Sequence, residues 1–219
     1  MHCKIAIDGP AGSGKTTVAK LIAQKLGIDY LDTGAMYRIV GLYLHSIGVE
    51  PKSTSIKDIL EKVNIEYIGK DYYLNGKKVG DEIRTPEAGM FASQYAANPE
   101  VREFLTKIQK QICSNRSIVA EGRDIGTVVM PDATVKIFLV ASPEVRARRR
   151  YEELKSKNME VSYEELLRQI EERDKNDSNR DVAPLVKAPD AIEIDTSNLS
   201  IEEVVEKILD ILKERCRIK

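Results

Sequence analysis

At 219 residues the chain is long enough to bury a substantial core, either as one α/β domain carrying an insertion or as two small domains. Its 34 Lys and Arg stand against 35 Asp and Glu, and the resulting formal charge of -1 excludes bulk electrostatic attachment to nucleic acid while leaving room for a local basic cleft around a small polyanion. No run approaches the roughly 18 consecutive apolar residues of a membrane span, and the first residues lack the basic-then-apolar layout of an export signal.

In chain order, Lys4 to Asp8 (KIAID) predicts a short buried strand. It runs straight into Gly9-Pro10-Ala11-Gly12-Ser13-Gly14-Lys15-Thr16, which satisfies GxxxxGK[ST] and leads into a helix with apolar residues at Val18, Leu21, Ile22 and Leu26. Strand, glycine-rich loop and helix are the context in which successive backbone N–H groups and the positive end of a helix cradle phosphates. Lys15 is then expected at the β- and γ-phosphates and the Thr16 hydroxyl on Mg²⁺. Lys15 is also expected to face solvent when no nucleotide is bound. Gly27 ends the helix, 29–31 reads as a second strand, and 34–46 as a second helix. Thr33 places a hydroxyl at the entry of that helix and Arg38 follows one turn later, a pattern that suits a second phosphate but equally a Thr cap beside a surface arginine.

The segment 63–79 changes character, with short alternating runs and the turn dipeptide Asn75-Gly76, and predicts small antiparallel strands inserted into an α/β chain. Helices follow at 86–96 and 99–113. Residues 117–120 and 135–140 are nearly continuous apolar runs of the kind that parallel strands buried on both faces require. A charged helix at 146–157 comes next, then a helix at 162–174 with a Ser162/Glu165 capping box, a polar turn at 177–184, a strand at 191–195 and a capped helix at 200–215. Strands separated by helices imply an α/β fold with a parallel sheet covered by helices on both faces and ligands beyond the strand C-termini. The cysteines Cys3, Cys113 and Cys216 have no ligand spacing and read as reduced thiols of a cytoplasmic protein.

Several further motifs stand in the chain: YLDTGAMYR (30–38), GDEIRTPE (80–87), ASQYAANPEVRE (92–103), EGRDIGTVVMPDA (121–133), VKIFLVAS (135–142) and ERDKNDSNRDVAPL (172–185). Together with the phosphate loop they make the chain resemble the bacterial cytidylate kinases over nearly its whole length. The resemblance implies a P-loop kinase fold with a small antiparallel β insertion, an acceptor-binding insertion at about 48–96 and a lid at about 146–161. It implies Mg²⁺-assisted, in-line transfer of the ATP γ-phosphate to CMP or dCMP; with the charge, hydropathy and cysteine readings above, the expected protein is a cytoplasmic monomer that binds neither nucleic acid nor membrane.

By the same resemblance, ATP lies on Gly9 to Thr16 and Thr17, under the lid residues Arg149 and Arg150. Ser93, Arg102 and Asp124 read the cytosine edge, whose exocyclic amine faces a carboxylate and whose acceptors face Arg or Ser. Thr33, Tyr37, Arg38 and Arg123 surround the acceptor, Arg173 and Asp177 hold the sugar, and Arg180 meets the phosphoryl group. Lys15, Arg38, Arg123 and Arg180 would carry catalysis. Two positions depart from the family pattern: Thr33 stands where Ser is frequent, and Glu121 stands where Asp is frequent, at the place where related kinases hold Mg²⁺ through water. The residues taken alone leave two rivals open, a kinase of the same architecture acting on AMP, dTMP or shikimate, and a nucleotide-dependent RNA-binding module using the strip from Arg146 to Arg150.

Overall fold

The structure, a computed structural model, describes residues 2–216. The described residues divide into two compact units, one made of those up to 30 and from 116 onward and the other of 31–115.

The first unit is built on a five-stranded sheet, whose edge strand β2 runs two residues past the unit boundary. Strands β1 (Lys4–Asp8), β2 (Asp29–Asp32), β6 (Ile118–Gly122), β7 (Val135–Val140) and β8 (Ile192–Asp195) stand in the order β2-β6-β1-β7-β8. β1 pairs in parallel with β6 and with β7, and β7 with β8. Ile5 and Ile7 of β1 turn toward α1 (Lys15–Leu26) and α8 (Ile201–Cys216), where they pack with Ile22, Val205, Ile208 and Leu212. Ala6, Ile118 and Ala120, pointing the other way, are also fully buried. Cover on both faces is the reason these strands read as unbroken apolar runs rather than alternating ones. α6 (Pro143–Ser156) and α7 (Tyr163–Asn179) complete the unit.

The second unit holds α2 (Thr33–Ser46), α3 (Ile56–Leu60), α4 (Pro86–Tyr95), α5 (Pro99–Cys113) and a three-stranded antiparallel sheet, β3 (Ile65–Ile68), β4 (Asp71–Leu74) and β5 (Lys77–Lys78). The expected turn joins β4 to β5: Asn75 (φ 50°) and Gly76 (φ 78°) both occupy the left-handed region that a two-residue hairpin demands. α2 and α4 approach so closely that a Cβ on Gly41 would stand 2.9 Å from the backbone of Phe91 and Ala92. The Tyr95 hydroxyl donates to the Val49 carbonyl, and Asn98 both caps α5 and donates to the Pro51 carbonyl at 3.0 Å, tying the segment after α2 to α4 and α5.

Three local expectations change. The cap of α2 is Asp32, whose carboxylate accepts from the Ala35 N–H at 2.9 Å, and Thr33 is the first helical residue. α7 continues to Asn179 rather than stopping near 174. Ser162 does cap α7, accepting from the Glu165 N–H at 3.3 Å, but its hydroxyl donates to Glu164 instead of forming a box with Glu165. The box does form one helix later: Ser200 Oγ accepts from the Glu203 N–H, and the Glu203 carboxylate accepts from the Ser200 N–H. α3 and a π-helical turn at Ile125–Val129 are too short to carry a readable period.

Candidate active site

The phosphate loop leaves β1 at Asp8 and enters α1 at Lys15, with Gly14 as the helix cap in a left-handed conformation. Lys15 curls back over the loop, donating to the Pro10 carbonyl at 2.6 Å and lying 3.4 Å from Ser13 Oγ. It is only 5% exposed, so the expectation of a solvent-facing lysine is overturned: the tight loop folds its own carbonyl over the ammonium. Burial, reinforced by the nearby charges of Arg123 and Arg173, pushes Lys15 down to about 7. Thr16 and Thr17 are exposed at the first turn of α1. The Thr16 hydroxyl donates to Glu121 Oε1 at 2.6 Å, and the Tyr30 hydroxyl meets the same oxygen at 3.2 Å.

Beyond the C-terminal end of β6 come Arg123 and Asp124, and α7 supplies Arg173, Asp177 and, just past its end, Arg180. Arg123 Nε donates to Asp177 Oδ2 at 2.8 Å, and Arg180 NH1 lies 3.5 Å from Asp177 Oδ1. Arg180 Nε also donates to the Ala183 carbonyl at 2.6 Å, at a residue whose φ of 49° is unusual for a side-chain-bearing residue. Burial alone would raise the Asp177 carboxyl, but the charges of Arg123 and Arg173 outweigh it and hold the group below the usual carboxylate range. Three cations, Arg123, Arg173 and Arg180, thus act on one buried carboxylate in this unit, and Arg123 and Arg173 are also within electrostatic reach of Lys15. A gathering of like charge at low exposure costs free energy by itself and is repaid by an incoming polyanion.

The arginine cluster of α6 separates by burial. Arg146 is 2% exposed and donates to the Ala11 carbonyl of the phosphate loop at 3.0 Å, to the Ala141 carbonyl at 2.9 Å and, through both terminal nitrogens, to the Asp174 carboxylate. Arg149 donates to the hydroxyl and carbonyl of Thr196 at 3.1 and 2.5 Å, and Thr196 Oγ1 reaches the Ser13 carbonyl. Arg150 pairs with Glu153 on the outer face. Of the cluster, the side chain that bonds to the phosphate loop is Arg146, whereas the sequence reading singles out Arg149 and Arg150 for the ATP side.

The second unit holds its own set. Arg38 NH2 donates to Asp32 Oδ2 at 2.8 Å, so one carboxylate both caps α2 and aims the guanidinium back over the start of that helix. A Cβ on Gly34 would come within 3.3 Å of Arg38 NH1 and 3.1 Å of Asp32 Oδ1, so glycine there lets the two side chains meet. Asp32 is itself pinned by β4: the Tyr72 hydroxyl accepts from its N–H at 3.1 Å and donates to its carbonyl at 2.9 Å. Arg102 of α5 is 2% exposed, with its guanidinium 5.4 Å from the centre of the Tyr37 ring and 3.5 Å from the Ala96 carbonyl. Ser93 is half-buried on α4, and Thr33 is buried. Asp32, Tyr72, Asp174 and Thr196 support these side chains; the last three carry no sequence signal of their own, since each is defined by a partner remote in sequence, whereas Asp32 stands three residues before the Ala35 N–H it caps, where an Asp at a helix entry is a readable signal.

The family model for cytidylate kinase matches residues 5–214. The chain belongs to the cytidylate kinase family. Among curated members, the cytidylate kinase of Thermosipho melanesiensis is 63% identical over 218 residues, covering all of both chains, and that of Thermotoga maritima is 48% identical over 217 residues, covering 98% of this chain and 99% of that protein. Solved structures extend the likeness to fold alone. The chain superposes on an uncharacterized protein from Eubacterium ventriosum at 15% identity (TM-score 0.55; 98% of this chain, 100% of that one). It superposes on the shikimate kinase of Bacteroides thetaiotaomicron at 18% identity (TM-score 0.50; 96% and 98%). The fold is therefore that of the P-loop kinases, and the chain is an enzyme of the cytidylate kinase family.

Proposed function

We propose that this chain transfers the γ-phosphate of ATP to CMP or dCMP, giving CDP or dCDP, by direct in-line displacement. The observation that carries the mechanism is the gathering of cations beside the phosphate loop: Arg123 at 2.8 Å and Arg180 at 3.5 Å share the buried Asp177 carboxylate, and Arg123 and Arg173 both act on the buried Lys15. Phosphoryl transfer needs little covalent chemistry from the protein and much fixed positive charge. The acceptor oxygen is already an anion at neutral pH, so no general base is required. Gly9 to Thr17 take the donor phosphates, and Lys15 exchanges the Pro10 carbonyl for the β- and γ-phosphate oxygens. Arg38, held by Asp32, and Arg123 and Arg180, held by Asp177, take the acceptor phosphate and the charge that develops during transfer. Arg173 and Asp177 hold the sugar, and Ser93, Arg102 and Asp124 read cytosine, with Tyr37 supporting Arg102 and Thr33 at the start of α2.

Among the described residues no cluster of three acidic, His or Cys side chains forms a dedicated metal cage. Thr16 and Glu121, a hydroxyl and a carboxylate in contact, suit Mg²⁺, an ion that keeps several waters and takes further ligands from substrate phosphates. Bound there, it would neutralise charge across the β- and γ-phosphates. The segment 146–161 is the proposed lid; Arg146 fixes its root to the phosphate loop, and Arg149 and Arg150 lie further along it. No helix among the described residues is long and apolar enough to cross a membrane. We place the enzyme in the cytoplasm as a monomer, with Cys3 and Cys113 as reduced thiols; the Cys216 side chain lies outside the described set.

A coupled assay across acceptors tests the reading. CMP and dCMP are expected to give the highest kcat/KM among CMP, dCMP, UMP, AMP, dTMP and shikimate. A better rate with any of the others removes the cytosine assignment of Ser93, Arg102 and Asp124.

A further inference from the structure

Asp8 closes β1 immediately before the phosphate loop, and no step of the proposed reaction calls on it. It is 5% exposed, and both its carboxylate oxygens are committed to one stretch of backbone. Oδ1 accepts from the Ile125 N–H at 2.8 Å and Oδ2 from the Gly126 N–H at 2.7 Å. Those are the first two N–H groups after Asp124. They open the π-helical turn, in which the Asp124 carbonyl accepts from Val128 and Val129 and the Ile125 carbonyl accepts from Met130. A π-turn is seldom used and gathers at functional sites. Asp124 itself sits at φ -141°, ψ 27°, outside the regular helix and strand basins. A two-oxygen grip on the two peptides that follow fixes that conformation, and with it the direction in which the Asp124 side chain leaves the backbone. Gly126 is closely surrounded: a Cβ there would touch Asp8 Oδ2 at 3.4 Å and press at 3.1 Å on Cδ of Lys136, a side chain that is itself buried and paired with Asp190.

We infer that Asp8 is a positioning residue for recognition of the acceptor base, acting through the Ile125 and Gly126 amides to orient Asp124. The inference rests on the assignment of Asp124 to cytosine. Its competitor is a purely local role for Asp8 in shaping the phosphate loop, which begins at the next residue and whose Lys15 is within electrostatic reach. The two separate in substrate selectivity, because a damaged phosphate loop weakens ATP whereas a misdirected Asp124 weakens the choice of cytosine.

The test measures kcat and KM for ATP, CMP and UMP in the wild type, Asp8→Asn and Gly126→Ala, together with hydrogen exchange at the Ile125 and Gly126 amides. Asn keeps the shape but offers one acceptor oxygen and turns an NH₂ donor toward the other N–H. The expected result is a CMP KM raised about tenfold, a CMP-over-UMP preference reduced by a similar factor, an ATP KM within about twofold of wild type and faster exchange at both amides. Gly126→Ala crowds the same turn while leaving the Asp8 charge in place. It is expected to lose the same selectivity, and it carries the test should Asp8→Asn fold poorly. Equal losses for ATP and CMP with the preference intact would overturn the inference, as would accelerated exchange without any change in preference. A wild type that does not prefer CMP to UMP would instead sink the cytosine assignment, and the exchange rates would still show whether Asp8 holds the turn.

Discussion

Asp177 gathers two arginines on opposite oxygens, and its backbone carbonyl accepts from the Leu185 N–H at 2.8 Å. Removing its charge strips buried guanidinium groups of their counterion, which costs about 3 kcal/mol. Asp177→Asn is therefore expected to lower the melting temperature at pH 7 by roughly 10 °C in a chain of this size. The pH dependence has a definite sign. Because the folded-state value lies below the ordinary 3.8, the unfolded chain binds the proton more readily, so the contribution is complete above about pH 4 and is lost as pH falls through the folded value. The gap between wild type and variant should shrink on acidification, and a gap independent of pH would show that the lost stability is not electrostatic. Asp8 works in the opposite sense. Burial pushes it up to about 6 against its two backbone bonds, so between roughly pH 4 and 6 it favours the folded state more as pH falls. Melting curves of Asp8→Asn across that interval should lack this component.

Among the elements, the close crossing of α2 and α4 sets two physical effects against each other at Gly41. Alanine in a helix interior is worth about 1 kcal/mol over glycine, which alone would stabilise the protein. The added Cβ, however, would meet the backbone of Phe91 and Ala92 at 2.9 Å, and backbone does not move aside as a flexible side chain does. The steric term should win, with Gly41→Ala destabilising by about 1–3 kcal/mol and lowering the melting temperature by several degrees. An unchanged or raised melting temperature would mean that the helices can separate at little cost. α7 illustrates the same contest between local preference and packing. Its last turn, Asp174 to Asn179, is rich in Asp, Asn and Ser, which favour caps and turns, so the sequence points to an early stop. The Arg123–Asp177 pair and the Leu185 N–H hold that turn helical, and those partners lie 54 and 8 residues away along the chain.

For the molecule as a whole, near-zero net charge leaves nucleic-acid binding to depend on a local basic strip. The RNA-binding alternative needs a continuous exposed basic strip, yet Arg146 is buried against Asp174, Arg149 is bonded to Thr196 and Arg150 is paired with Glu153. Single-stranded RNA is accordingly expected not to be retained by micromolar protein at 150 mM salt; retention that weakens steeply with rising salt would restore that alternative. The sequence by itself determined the parallel α/β plan, the phosphate loop, the antiparallel insertion and the family, because each rests on residues adjacent in the chain: an apolar run, a spacing of glycines, a turn dipeptide, a contiguous motif. Which arginine of 146–150 turns inward, that Lys15 is buried under the Pro10 carbonyl, and that Asp8 grips the turn after Asp124 were decided only by the tertiary structure. In each case the side chain's place is set by a charge or carbonyl that its own neighbours in sequence do not reveal, and a polar side chain is buried only where folding brings such a partner to it.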